Sequence, residues 1–378
     1  MCCSVILSEY RNIPAPVVCL FNSGFKMKKI NEITLLKMLA LLSVLFFHCY
    51  RPFFGAGTYW KVVIDSDLDY LSWLLHFNKI FDVHCLFFCS GFLYFMTMSS
   101  GKRTVGEQLV KRVKRIVIPY FWVGMLFFVP MYTIFSVPSG LHLANDTLLE
   151  GYEKFVTLRF SEHMWFLQIM LIITVICLLL NFMVERFFWL LLAGSFLMTF
   201  VFNRYLNGIF FMSLQSMSDN LFIFVLGGAV YRIYGLLTPV RNLVLMTVSA
   251  ALFLFAYNYE VPKGMLSQCL SQIAAGSICI CALCFARLFA DPVMDFLYRF
   301  RAVQFFDRNF MDFYMYHMPI PLVCAMYLYE PFHRVIDSNL AYAVSAWLVT
   351  LALTAVAVKT DAMIRQVRDR LLSRPKQA

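Results

Sequence analysis

The chain has 378 residues, 61% of them hydrophobic and only 14% charged, and a mean hydropathy of +0.71 excludes a water-soluble domain of this length. The net charge of +10 does not point to nucleic acid, because Lys and Arg fall in short loops between apolar stretches, where membrane topology accounts for them. Most of the twelve cysteines lie inside apolar stretches, where a thiol packs as a small hydrophobe, so no secreted disulfide framework is expected.

Taken in chain order, residues 1 to 26 are moderately apolar, contain Pro14 and Pro16, and lack the layout of a signal peptide. Met27, Lys28 and Lys29 make a compact basic lead-in to the first apolar run, and translation is expected to start there. Crossing the hydrocarbon core takes roughly 20 apolar residues per helix. Runs of that kind predict an all-α integral membrane protein with ten spans: 33–51, 77–98, 116–136, 164–183, 187–203, 219–235, 241–258, 266–288, 309–328 and 340–358. The stretch 204–218 is read as a re-entrant or interfacial piece.

With the N-terminus inside, the cytoplasmic segments hold 23 Lys and Arg and the outer ones 8, Lys37 lying within the first span. That asymmetry predicts ten spans with both termini cytoplasmic. Three regions follow: an N-terminal extension over 1–29, a membrane domain over 30–360 and a basic cytoplasmic tail over 361–378. The longest outer loop, 137–163, carries Asp146, Glu150, Glu153, Lys154, Arg159 and Glu162 and is suited to contact a substrate.

An ionisable side chain within a span costs on the order of 3 kcal/mol and usually faces a polar cavity or a partner. Within the first span lie Lys37 and His48, eleven residues apart. That spacing is about 16 Å and almost three turns, so both lie on one helix face. One reading has Lys37 snorkelling to the inner headgroups and His48 bonding a carbonyl at the outer interface. The other makes His48 a base, since an imidazole titrating near about 6.5 takes a proton from an alcohol at neutral pH.

His317 either lines the same cavity or makes a structural hydrogen bond. Ser90 is open to two readings as well, a nucleophile or part of a tight Ser-Gly helix contact. His84, Cys85 and Cys89, like Cys279, Cys281 and Cys284, do not form a tetrahedral set on one helix face, so no metal site is expected.

Five segments, in order, resemble the acyltransferase 3 family of membrane acyltransferases. ITLLKMLALLSVLFFH is similar to its opening helix, and FFCSGF to its phenylalanine-rich segment closing on Ser90, Gly91 and Phe92. KRVKRIVIPYF resembles the basic entry to its third helix and matches Arg112, Arg115 and Pro119; HMWFL supplies Trp165, and FYMYHMP supplies His317. Lys37 stands where the family usually has arginine, a point charge in place of a planar fork.

The resemblance implies transfer of an acyl group, commonly acetyl, from cytoplasmic acetyl-CoA as co-substrate, with no bound cofactor. The acceptor would be a hydroxyl of a cell-envelope glycan or lipid-linked carbohydrate, at the cytoplasmic membrane. On this reading His48 and Lys37 are catalytic, and Arg112, Arg115, Trp165, His317 and Ser90 contribute to binding. Lys111, Arg112, Lys114 and Arg115 would attract the phosphates of the donor or else only fix orientation. The rival class is a transporter or exporter of a lipid-linked or small anionic substrate, for which the sequence lacks paired Gly/Pro-broken helices in matching halves.

Overall fold

In hydrocarbon the backbone must satisfy its own polar groups, and a chain this rich in Leu, Phe and Ile does so as helices. The structure, a computed structural model, describes residues 30–54, 62–64, 72–99, 104–138, 145–157, 162–205, 211–259, 262 and 264–372. No strand occurs among them. The expected start at Met27 lies outside the described residues.

The helices are α1 (Asn31–Tyr50), α2 (Ser72–Ser99), α3 (Val105–Ile134), α4 (Leu148–Val156), α5 (Trp165–Leu179), α6 (Asn181–Arg186), α7 (Phe188–Tyr205) and α8 (Phe211–Tyr234). They continue as α9 (Pro239–Asn258), α10 (Met265–Leu297), α11 (Arg301–Arg308), α12 (Phe310–Tyr316), α13 (Ile320–Tyr327), α14 (Tyr329–His333) and α15 (Asn339–Leu372). Six of these, α1, α2, α3, α9, α10 and α15, are long and apolar enough to cross a membrane. The protein is thus an all-α, multi-pass membrane protein. Helix also occupies each of the other four places where a span is expected, in shorter, broken or more polar form.

Four details differ from the sequence reading. The helix of the third expected span begins at Val105, not 116, because Thr104 and Glu107 form a reciprocal capping box that nucleates it ahead of the basic residues. Arg112 and Arg115 therefore sit on α3 itself and not in a loop. Its hydrogen-bond ladder loosens into π-turns at Val113–Val117 and Gly124–Phe128.

The longest outer loop is not all loop. Thr147 and Glu150 cap α4, and the hydrogen bonds from Thr147 hold the Glu150 carboxyl below its usual range. α4 lies along α3: Phe155 is buried against Tyr120, Phe128 and Gly124, where a Cβ on Gly124 would come within 1.9 Å of the Phe155 ring. The chain thus returns beside α3 before α5 begins, and α5 is 15 residues long because the helix breaks at Leu180.

The stretch expected as re-entrant, 204–218, is helical at both ends: α7 runs to Tyr205, and Phe211 onward is the continuous first part of α8. The ninth expected span is two helices, α12 and α13, separated at His317–Pro319.

The core is centred on α2 and α8. Their backbones touch through glycines: a Cβ on Gly91 would meet the Phe224 carbonyl oxygen at 1.8 Å, and one on Gly227 the Phe88 carbonyl oxygen at 2.1 Å. Side-chain bonds tie many helix ends together. Asn31 and Glu32 at the start of α1 bond Asp291 in α10 and Tyr234 at the end of α8. Arg287 bonds the carbonyls of Tyr234 and Leu237, and Arg232 covers the ring of Phe188 at the start of α7. Late in α15, Asp361 accepts from Trp122 and Arg365, and Arg365 also reaches Asp312 near the start of α12.

Candidate functional site

α1 carries Lys37 and His48 to two places on the same neighbour. The Lys37 ammonium lies 4.9 Å over the ring of Phe310, and the His48 ring stacks on His317 at 5.2 Å between centroids. Lower number meets lower number and higher meets higher, so α1 and α12 run parallel. The sequence expectation that Lys37 and His48 share a face is met by their packing on one helix.

His317 stands at the break between α12 and α13, where Pro319 and Pro321 have no N–H to give. The Met315 carbonyl, which an amide at position 319 would otherwise satisfy, instead accepts from His163 Nε2 at 3.2 Å. Tyr314 O accepts from His317 Nδ1 at 2.7 Å, and the Tyr314 hydroxyl donates back to the His163 carbonyl. These bonds fix the two rings, whose centroids lie 4.7 Å apart with planes crossed at 72°.

A carbonyl can only accept, so each bonded nitrogen carries the proton. In the neutral rings that leaves Nδ1 of His163 and Nε2 of His317 as lone-pair acceptors, both buried and neither with a hydrogen-bond partner among the described residues. Phe128 packs on His163 and Phe47 on His48, closing an apolar surround. The cluster therefore consists of three imidazoles, His48, His163 and His317, and His163 is the member that the sequence reading missed. Its signal was present: His163 stands two residues before Trp165 in HMWFL, but only the proline break elsewhere gives it a partner.

The remaining expected site residues are placed elsewhere. Trp165 packs its ring on Phe87, 6.4 Å away. Ser90 is half-buried beside Gly91 at the α2–α8 crossing. Arg112 is half-buried and Arg115 exposed near the start of α3. Along that helix Arg112 and Phe128 are sixteen residues apart, about 24 Å of rise. The basic cluster and the histidines are thus at two levels of one bundle. Among the described residues no group of three His, Cys, Asp or Glu side chains is arranged to hold a metal ion.

Basic nitrogens fixed inside a membrane bundle suit a transfer reaction that must take a proton from its acceptor, the chemistry of a membrane-embedded transferase. Residues 30–359 match the family model described as an acyltransferase domain of the acyltransferase 3 type, and the chain therefore belongs to the acyltransferase 3 family. It is an acyltransferase. No curated protein matches it in sequence.

Proposed function

We propose that this protein is an O-acyltransferase of the cytoplasmic membrane that moves an acyl group, acetyl by preference, from cytoplasmic acyl-CoA to a hydroxyl of a cell-envelope carbohydrate. The observation that carries the reading is the stacking of His48 on His317, with His163 crossed edge-on against the same ring. His48 takes the proton of the acceptor hydroxyl as its oxygen attacks the thioester carbonyl. The tetrahedral intermediate collapses by breaking the carbon–sulfur bond, and the imidazolium returns the proton to the leaving thiolate.

Two levels of one bundle support a two-sided reaction. Lys111, Arg112, Lys114 and Arg115 are suited to the donor's phosphates, and the elongated pantetheine arm suits the distance from them to the histidines. A ten-span path with both termini cytoplasmic is supported by the end-to-end contacts: the starts of α1, α7 and α12 share a side with the ends of α8 and α15. The parallel course of α1 and α12 fits the first and ninth spans running the same way.

The test is mass spectrometry of envelope glycans from a deletion strain complemented with wild type or His48→Ala. Wild type should restore an acyl mass increment that His48→Ala, present in the membrane at equal level, does not. Restoration by His48→Ala would overturn the assignment.

A further inference from the structure

One turn beyond His48, the helix tightens into a 3-10 turn at Arg51–Phe53, and Arg51 is only 9% exposed. Among the described residues, the groups in electrostatic range of this guanidinium include His48, Tyr50 and a second cation, Lys79 of α2. Neither Arg51 nor Lys79 has a carboxylate partner among the described residues. The nearby carboxyl, Asp82, is in range of Tyr50 and is held by a 2.6 Å bond from Ser43. A buried guanidinium within electrostatic range of another cation, with no counter-charge among the described residues, is unfavourable unless an anion completes it. A snorkelling arginine would extend its head into water, whereas this one is covered by protein.

We propose that Arg51, assisted by Lys79, is an anion subsite beside His48 that receives a carboxylate or phosphate of the acceptor, so that the natural acceptor is an anionic carbohydrate. The planar fork of arginine matches both groups through two parallel hydrogen bonds, and the more exposed lysine adds charge where the ligand enters. Arg51 lies three residues after His48, about one turn further along, so a sugar held by its anionic group presents a neighbouring hydroxyl to the imidazole. The inference rests on His48 being the acceptor base.

The test is binding of three probes to full-length detergent-solubilised protein: a methyl glucuronide, a hexose 1-phosphate and the neutral methyl glucoside, with acetyl-CoA measured in parallel. Wild type should bind at least one anionic probe more than tenfold tighter than the neutral one, and the two anionic arms tell a carboxylate from a phosphate ligand. Arg51→Gln should erase that preference and Arg51→Lys should keep part of it, with thermal unfolding confirming that both variants are folded. Equal binding of all three probes by wild type, a preference surviving in Arg51→Gln, or a loss confined to acetyl-CoA would overturn the subsite. If His48→Ala also fails to transfer, the acceptor reading of the enzyme stands while the subsite falls; retained transfer by His48→Ala removes the basis of both.

Discussion

His163 and His317 meet ring to ring, 4.7 Å between centroids, because a carbonyl two residues before His317 takes the N–H of His163. Each imidazole spends its proton on a backbone oxygen and keeps a basic nitrogen. With His48 stacked on His317 as well, three buried rings meet, and His317 touches both others.

Replacing His163 or His317 by Phe keeps the ring and its packing but removes the nitrogens. Each variant should lower the initial rate of acyl transfer by about 10²-fold, the usual scale of one acid–base group. The lost backbone hydrogen bond should cost about 1 kcal/mol of stability. Rates measured beside thermal midpoints check this; a proportionate fall in both would mean a packing role alone.

Gly91→Ala places a methyl group where the Phe224 carbonyl oxygen would be 1.8 Å away, and backbone cannot yield as a side chain does. The expected loss is about 1–3 kcal/mol, the range for overpacking, and Gly91→Val should be worse. Gly106→Ala, with nothing within 4 Å, should change the unfolding midpoint little. Fluorimetric unfolding in detergent separates the three, and an unshifted Gly91→Ala would refute the close crossing.

Lys37 over Phe310 is a cation–π contact worth on the order of 0.5–2 kcal/mol. Lys37→Arg keeps charge and aromatic contact and should retain most activity, whereas Lys37→Met should lose most of it. Phe310→Leu should fall between them. If Lys37→Met transferred at the wild-type rate, the cation would have only a topological role.

The membrane helices were legible because apolar runs of sufficient length have few other fates, and the eleven-residue spacing of Lys37 and His48 already placed both on one face. His317 carried two equal readings in the sequence. The structure shows the bond, made by Nδ1 to the Tyr314 carbonyl, and it places the ring against His48. His163 was not legible as a site residue, because its partner carbonyl is freed by Pro319, in a break between two helices remote in the sequence. The break itself was signalled by Pro319 and Pro321 but hidden by the even apolarity around them. Arg51 was not singled out by the sequence and gained meaning only from its burial with no counter-charge among the described residues. Ser90 is the opposite case: its motif marks a place where two backbones touch, through the glycine beside it.

The proline break has a consequence for how this sequence can change. A substitution that let residue 319 donate an amide would make the helix more regular and would offer Met315 a local partner, releasing His163 from its tether. Local helical order and site geometry therefore pull in opposite directions here. The irregular backbone is kept because the hydrogen bond a helix would make with itself is the one that joins two remote parts of the chain.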